Sequence, residues 1–200
     1  DDVIDEIKSE ADVSLRQISG IDSDTFEKTS TAIKTRGFWL GTNLLTALIA
    51  ASVINIFKET LEQVIFLAVL MPIIASMGGV AATQTLTITV RGLALGQIVR
   101  ANYLYIFNRE LMVGISNGFI WAVILSLIAC SWFQDWLLAW IICLSMIINL
   151  IAGVLSGMGI PILLKGLKMD PAVAGSVIVT TVTDVIGFFS FLGLATYFYS

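Results

Sequence analysis

The chain has 200 residues, of which 57% are hydrophobic and 13% charged, with a net charge of −4 and a mean hydropathy of +0.92. A soluble domain needs more polar surface than this, so the composition predicts an all-α integral membrane protein. The sequence has no histidine, which excludes histidine proton relays and histidine metal sites. Its two cysteines, Cys130 and Cys143, have neither metal-ligand spacing nor a disulfide framework.

The N-terminal segment predicts an amphipathic cytoplasmic helix and a polar connector. Apolar residues recur every three or four positions across residues 3–18, with acidic residues between them. We therefore expect residues 1–36 to form a cytoplasmic unit and residues 37–200 a transmembrane unit. The chain begins without Met and inside a helical pattern, so we expect it to be a fragment of a longer protein.

Five apolar segments are each long enough to span the hydrocarbon of a bilayer, which takes about 20 residues of α-helix. They cover residues 37–57, 61–84, 110–131, 135–164 and 171–198. In the second segment, Pro72 followed by two glycines predicts a kink or a break. Thr alternates with apolar residues over 83–96 as in a strand, but an open strand edge cannot face lipid, so we favour a helix there.

The distribution of basic residues predicts the orientation. Lys and Arg precede the first span and occur in segments 91–109 and 165–170, whereas Lys58 alone lies on the opposite side. Positive charge marks the cytoplasmic side. The N-terminus is therefore expected in the cytoplasm and the C-terminus outside.

Asp184 lies near the middle of the fifth span, where a carboxylate costs about 2.5–3.5 kcal/mol. No Lys or Arg lies within a predicted span to neutralise it, so we expect a transported cation to do so. A stripe of residues at helical spacing shares one sector of the helix with it. The members of this stripe are Ser176, Thr180, Thr183, Asp184 and Gly187. For the threonines and the glycine, helix packing is the alternative interpretation.

All-oxygen ligands favour a hard cation such as Mg²⁺, Ca²⁺ or Mn²⁺, and one carboxylate suits a largely hydrated ion. A second polar stretch, residues 76–84, could line the same passage with backbone carbonyls, or it could be a tight helix crossing. Its candidate lining residues are Gly78, Gly79, Thr83 and Gln84. Asn149 and three other intramembrane asparagines are expected to bond neighbouring helices.

Two stretches resemble signatures of the MgtE-type magnesium channels. They are "GGVAATQTLTITVRGLALGQI" (78–98) and "DPAVAGSVIVTTVTDVIGFFSFLGLA" (170–195), and the likeness covers residues 37–200. The resemblance implies a homodimer in the bacterial inner membrane, with a pore lined by the second and fifth spans of both chains. Asp184 would bind hydrated Mg²⁺ there, with Thr180 and Ser176 on the same wall.

The resemblance also implies regulation. The N-terminal helix is similar to the family's plug helix, and Asp170 and Glu10 match acidic positions where cytosolic Mg²⁺ holds the pore closed. Cytoplasmic N and CBS domains are expected in the full-length chain. Two positions depart from residues that are common in the family. Val80 stands where relatives often have an amide side chain, and Ser176 where some have Asn. These departures predict fewer hydrogen bonds to the ion's waters.

Alternatives remain at this point. A cation exchanger, or a transporter of broader specificity for Mn²⁺ or Co²⁺, would use the same carboxylate. An enzyme is not expected, because one isolated acid without histidine provides neither a nucleophile–base pair nor a pair of metal ligands. A structural anchor would tolerate loss of Asp184. The expected partners are divalent cations, the bilayer and a second copy of the chain, and not nucleic acid.

Overall fold

The computed structural model describes residues 28–167 and 171–199, and the side chains of 171–174 are not described. Regular structure in these ranges is entirely helical: α1 (Thr29–Ile56), α2 (Lys58–Gln63), α3 (Phe66–Ala94), α4 (Tyr103–Phe133), α5 (Trp136–Gly166) and α6 (Pro171–Tyr199). Five of the helices are long and apolar enough to cross a membrane. The all-α membrane class with five spans is therefore confirmed. The predicted N-terminal helix, Glu10 and Asp170 lie outside the described residues.

Several boundaries differ from the sequence-based expectation: α1 begins at Thr29 and not at residue 37, and α4 begins at Tyr103 and not at residue 110. The second span was expected to begin at residue 61, but residues 58–63 form the separate short helix α2, and Val64 and Ile65 separate it from α3. The interruption thus lies before α3, while Pro72 sits inside a helix that continues on both sides. The ambiguous 83–96 segment is helical as far as Ala94, as favoured.

Helix α5 is the centre of the bundle. It packs against α3, α4 and α6, whereas α1 contacts mainly α6. A helix that is apolar all round is suited to such an interior position. The main core includes these fully buried side chains: Leu67, Leu70, Ile74, Leu138, Ile141, Ile142, Met146, Phe191 and Leu192.

Small residues bring α3 close to α5. A Cβ added at Gly153 would lie 2.9 Å from the carbonyl oxygen of Gly78, and one added at Gly157 would lie 2.5 Å from that of Ala82. Any larger residue would push the two helices apart, as at other close helix crossings in membranes. This contact holds one face of α3 against α5, and the opposite face of α3 is free to form a site.

Candidate functional site

A shallow open groove of about 600 Å³ lies between α3 and α6. The residues lining it are Ser76, Gly79, Val80, Thr83, Gln84, Thr87, Ile88 and Thr180. The fold thus brings together four of the predicted site residues from two distant stretches: Gly79, Thr83, Gln84 and Thr180. Ser76 and Thr87 were not predicted, although their spacing from Gly79 and Thr83 places them on the same face of α3.

The groove threonines present hydrogen-bond acceptors. Thr83 Oγ1 donates to the Gly79 carbonyl (2.8 Å), Thr87 Oγ1 to the Thr83 carbonyl (2.8 Å), and Thr180 Oγ1 to the Ser176 carbonyl (2.9 Å). A hydroxyl has one hydrogen and two lone pairs, so each of these oxygens has committed its hydrogen and keeps acceptor capacity. Such a surface suits a cation, or the donating waters around it.

Asp184 is half-buried in α6, one helical turn after Thr180 and therefore on a neighbouring part of the same face. Within the described ranges its carboxylate makes no ion pair and no hydrogen bond; the ion pair found there, Lys58–Glu62, is exposed and lies outside the spans. No cluster of three acidic or cysteine side chains that could bind a metal occurs in the described part of the chain.

Three of the other candidates on α6 and α3 are buried in the protein, and one is half-buried. Thr183 is fully buried, and its hydroxyl donates to the carbonyl oxygens of Val179 (3.3 Å) and Thr180 (2.9 Å). Gly78 and Gly187 are also buried. Ser176 is half-buried, with its carbonyl accepting the Thr180 hydroxyl. The roles predicted for Thr183 and these glycines as ion-binding or pore-lining residues stay predictions.

Gly78 and Gly187 leave the space that the side chain of Asn149, on α5, occupies. Its Nδ2 donates to the Ile74 carbonyl (2.8 Å), and its side chain fills a slot between α3 and α6. A Cβ at Gly78 would overlap Asn149, and one at Gly187 would lie 2.7 Å from Nδ2. The sequence predicted an interhelical hydrogen bond for Asn149 but gave no sign that it faces both helices of the groove.

A family model described as "MgtE: Divalent cation transporter" matches residues 71–194, which include both walls of the groove. The chain belongs to the MgtE family. The family resemblance drawn from the two signature stretches is thereby confirmed. The description is that of a transporter, in agreement with the prediction that the chain is not an enzyme.

The chain is similar to curated MgtE proteins along nearly its whole length. It is 34% identical over 200 residues to "Magnesium transporter MgtE" of Bacillus subtilis, and 28% identical over 199 residues to the proteins of that name from Enterococcus faecalis and Thermus thermophilus. These matches cover 98–99% of the chain but 44% of each relative. The chain thus spans less than half the length of the MgtE proteins that it matches.

Proposed function

We propose that this MgtE domain carries hydrated divalent cations, chiefly Mg²⁺, into the cytoplasm along the groove between α3 and α6. The observation that carries the proposal is Asp184, a carboxylate half-buried in a membrane span and without a basic partner among the described residues. An intramembrane acid of this kind marks an ion pathway. The names of the relatives and the acceptor-lined groove support Mg²⁺ as the ion.

The ion crosses largely hydrated. Mg²⁺ loses its waters reluctantly and is usually bound through one or two carboxylates with several waters retained. Asp184 supplies the charge, and the hydroxyl oxygens of Thr83, Thr87 and Thr180 accept hydrogen bonds from the ion's waters. Ions that differ in size and in hydration geometry are then separated by how well their waters match these acceptors.

The complete pore forms between two copies of the chain. The groove of one chain is open on one side, and Val80 within it is 52% exposed. A second copy related by a two-fold axis would close the groove with its own α3 and α6, because closed two-fold symmetry is the commonest arrangement of homo-oligomers. Two Asp184 carboxylates would then face one divalent cation and balance its charge.

The orientation and the regulation complete the proposal. The N-terminus lies in the cytoplasm of a bacterium and the C-terminus outside the inner membrane, as the basic residues predict. Cytosolic Mg²⁺ bound through Asp170, Glu10 and regulatory N and CBS domains closes the pore. This part rests on the family resemblance, since both acidic residues lie outside the described ranges.

The test is uptake by Asp184 variants. In a bacterial strain whose growth requires a functional Mg²⁺ transporter, Asp184→Ala and Asp184→Asn should abolish or severely reduce growth at low Mg²⁺, because the negative charge that stabilises the ion is lost. Glu62→Gln is the matched control, since this carboxylate is exposed and lies outside the spans. Normal growth of the Asp184 variants at equal expression would overturn the proposal.

A further inference from the structure

A second cleft lies on the other side of α3. It has a volume of about 360 Å³, its walls come from α3 and α4, and its floor comes from Leu150 and Val154 of α5. The polar residues on its walls are Gln84 and Thr85 of α3 and Glu110 and Asn117 of α4. The proposed pathway does not use this cleft.

Glu110 is the unusual residue in the cleft. The third span was expected to begin at residue 110, but α4 begins at Tyr103, so Glu110 lies within the membrane-spanning helix. It is only 5% exposed. Its burial follows from the next turn, where Gly114 packs so closely on Val154 that an added Cβ would lie 2.5 Å from Val154 Cγ2.

The carboxylate of Glu110 has no hydrogen bond and no ion pair with any residue in the described ranges. An isolated charge removed from water is strongly unfavourable, and a buried carboxylate is normally paired or bound to a metal. Because the side chain lines an accessible cleft, a counter-charge can reach it from outside the protein.

We propose that this cleft is a second cation site, in which Glu110 binds a partly hydrated divalent cation. Each water occupies about 30 Å³ in the liquid, so the cleft has room for a cation with a full shell of six waters. The amide oxygens of Gln84 and Asn117 provide neutral acceptors for those waters. One carboxylate and two amides suit a hard cation bound mainly through its water shell.

The cleft and the groove share part of α3 as a wall, since Val80, Gln84 and Ile88 line both spaces. Glu110 is seven residues into α4 and Asp184 thirteen residues into α6, which at 1.5 Å per residue places them about 10 and 20 Å from the starts of their helices. The helices start at the predicted cytoplasmic end. Glu110 therefore lies about 10 Å nearer the predicted cytoplasmic end than Asp184, and the cleft itself lies beside the groove, along the same stretch of α3.

The experiment counts bound ions on the purified protein in detergent, using Mn²⁺ as the paramagnetic probe. Electron paramagnetic resonance gives the number of Mn²⁺ ions bound per chain in the wild type, Glu110→Gln, Asp184→Asn and the exposed control Glu62→Gln. We expect Glu110→Gln to bind one ion fewer than the wild type and Asp184→Asn to retain that ion, with Mg²⁺ competing for it. Equal numbers in Glu110→Gln and the wild type would overturn the inference.

A gain-of-binding variant keeps the inference testable even where Glu110→Gln does not fold. Asn117→Asp adds a second carboxylate to the same cleft, and Ca²⁺ and Mg²⁺ sites tighten with ligand charge. We expect the dissociation constant of one Mn²⁺ to fall about tenfold or more, and an unchanged constant would contradict a site here. Both readouts are binding measurements, so a failure of the transport proposal at Asp184 would be seen separately.

Discussion

The side chain of Asn149 sets the spacing between α3 and α6, the two helices that form the groove. Asn149 is fully buried, bonds the Ile74 carbonyl of α3, and touches Gly78 on one side and Gly187 on the other. Its Oδ1 atom is buried without a partner among the described residues. An Asn that fills a slot between two glycines has little room to move, so the spacing of α3 and α6 depends on it.

Adjacent glycines of α3 therefore should differ in their tolerance of alanine. A Cβ at Gly78 overlaps Asn149, which cannot swing away because Gly187 lies behind it, whereas a Cβ at Gly79 meets nothing within 4 Å. We expect Gly78→Ala to lower stability by about 1–3 kcal/mol, the usual cost of overpacking. Gly79→Ala should be neutral. Thermal midpoints of the two purified variants in detergent check this, and equal midpoints would contradict the role of the slot.

At the scale of helices, Asp135 ties the start of α5 to the end of α6. Its Oδ1 accepts the backbone N–H groups of Leu137 (2.8 Å) and Leu138 (3.1 Å), and its Oδ2 accepts the hydroxyl of Tyr199. Partial burial alone would raise the pKa of Asp135, but the hydrogen bonds from Tyr199 and from these two amides together outweigh it and lower the pKa. The ionised carboxylate is thus favoured in the folded protein.

The lowered pKa gives a pH dependence with a definite sign. A carboxyl whose pKa is lower when folded adds stability above its unfolded pKa of about 3.9, and this stability is lost as the pH falls through the folded pKa. Asp135→Ala should lower stability by about 1 kcal/mol at neutral pH, the typical value of a helix cap. The difference from the wild type should shrink below about pH 4. Melting curves from pH 7 to pH 3 check this, and a difference that grows in acid would contradict it.

The existence of the five spans could be predicted because the number of residues in each apolar segment can be counted in the sequence. The α2–α3 break could not, since it falls inside the apolar segment at Val64 and Ile65 and not at the proline that signals one. In the site, periodicity predicts that Thr180 and Asp184 share one face of α6, and of these two Thr180 lines the groove. Thr183 shared that sector, yet consecutive helical residues point about 100° apart, and Thr183 turned out to face the core while Asp184 is half-exposed.

At the scale of the whole described bundle, one helix supports the groove. The central helix α5 packs against α3 and α6 and leaves the groove threonines Thr83, Thr87 and Thr180 accessible. The membrane potential is a source of energy for the proposed transport. A divalent cation that moves inward through the membrane potential gains about 4.6 kcal/mol per 100 mV, which is sufficient for uphill accumulation.

Uptake should accordingly follow voltage and not a proton gradient. In proteoliposomes with equal Mg²⁺ on both sides and a Mg²⁺-sensitive dye inside, a potassium diffusion potential, negative inside, should drive uptake, because the field acts on both charges of the ion. A pH gradient at zero voltage should drive none. Liposomes with Asp184→Ala are the control for leakage. Uptake driven by the pH gradient alone would instead establish an exchanger, in which Asp184 carries a proton and a metal ion in turn.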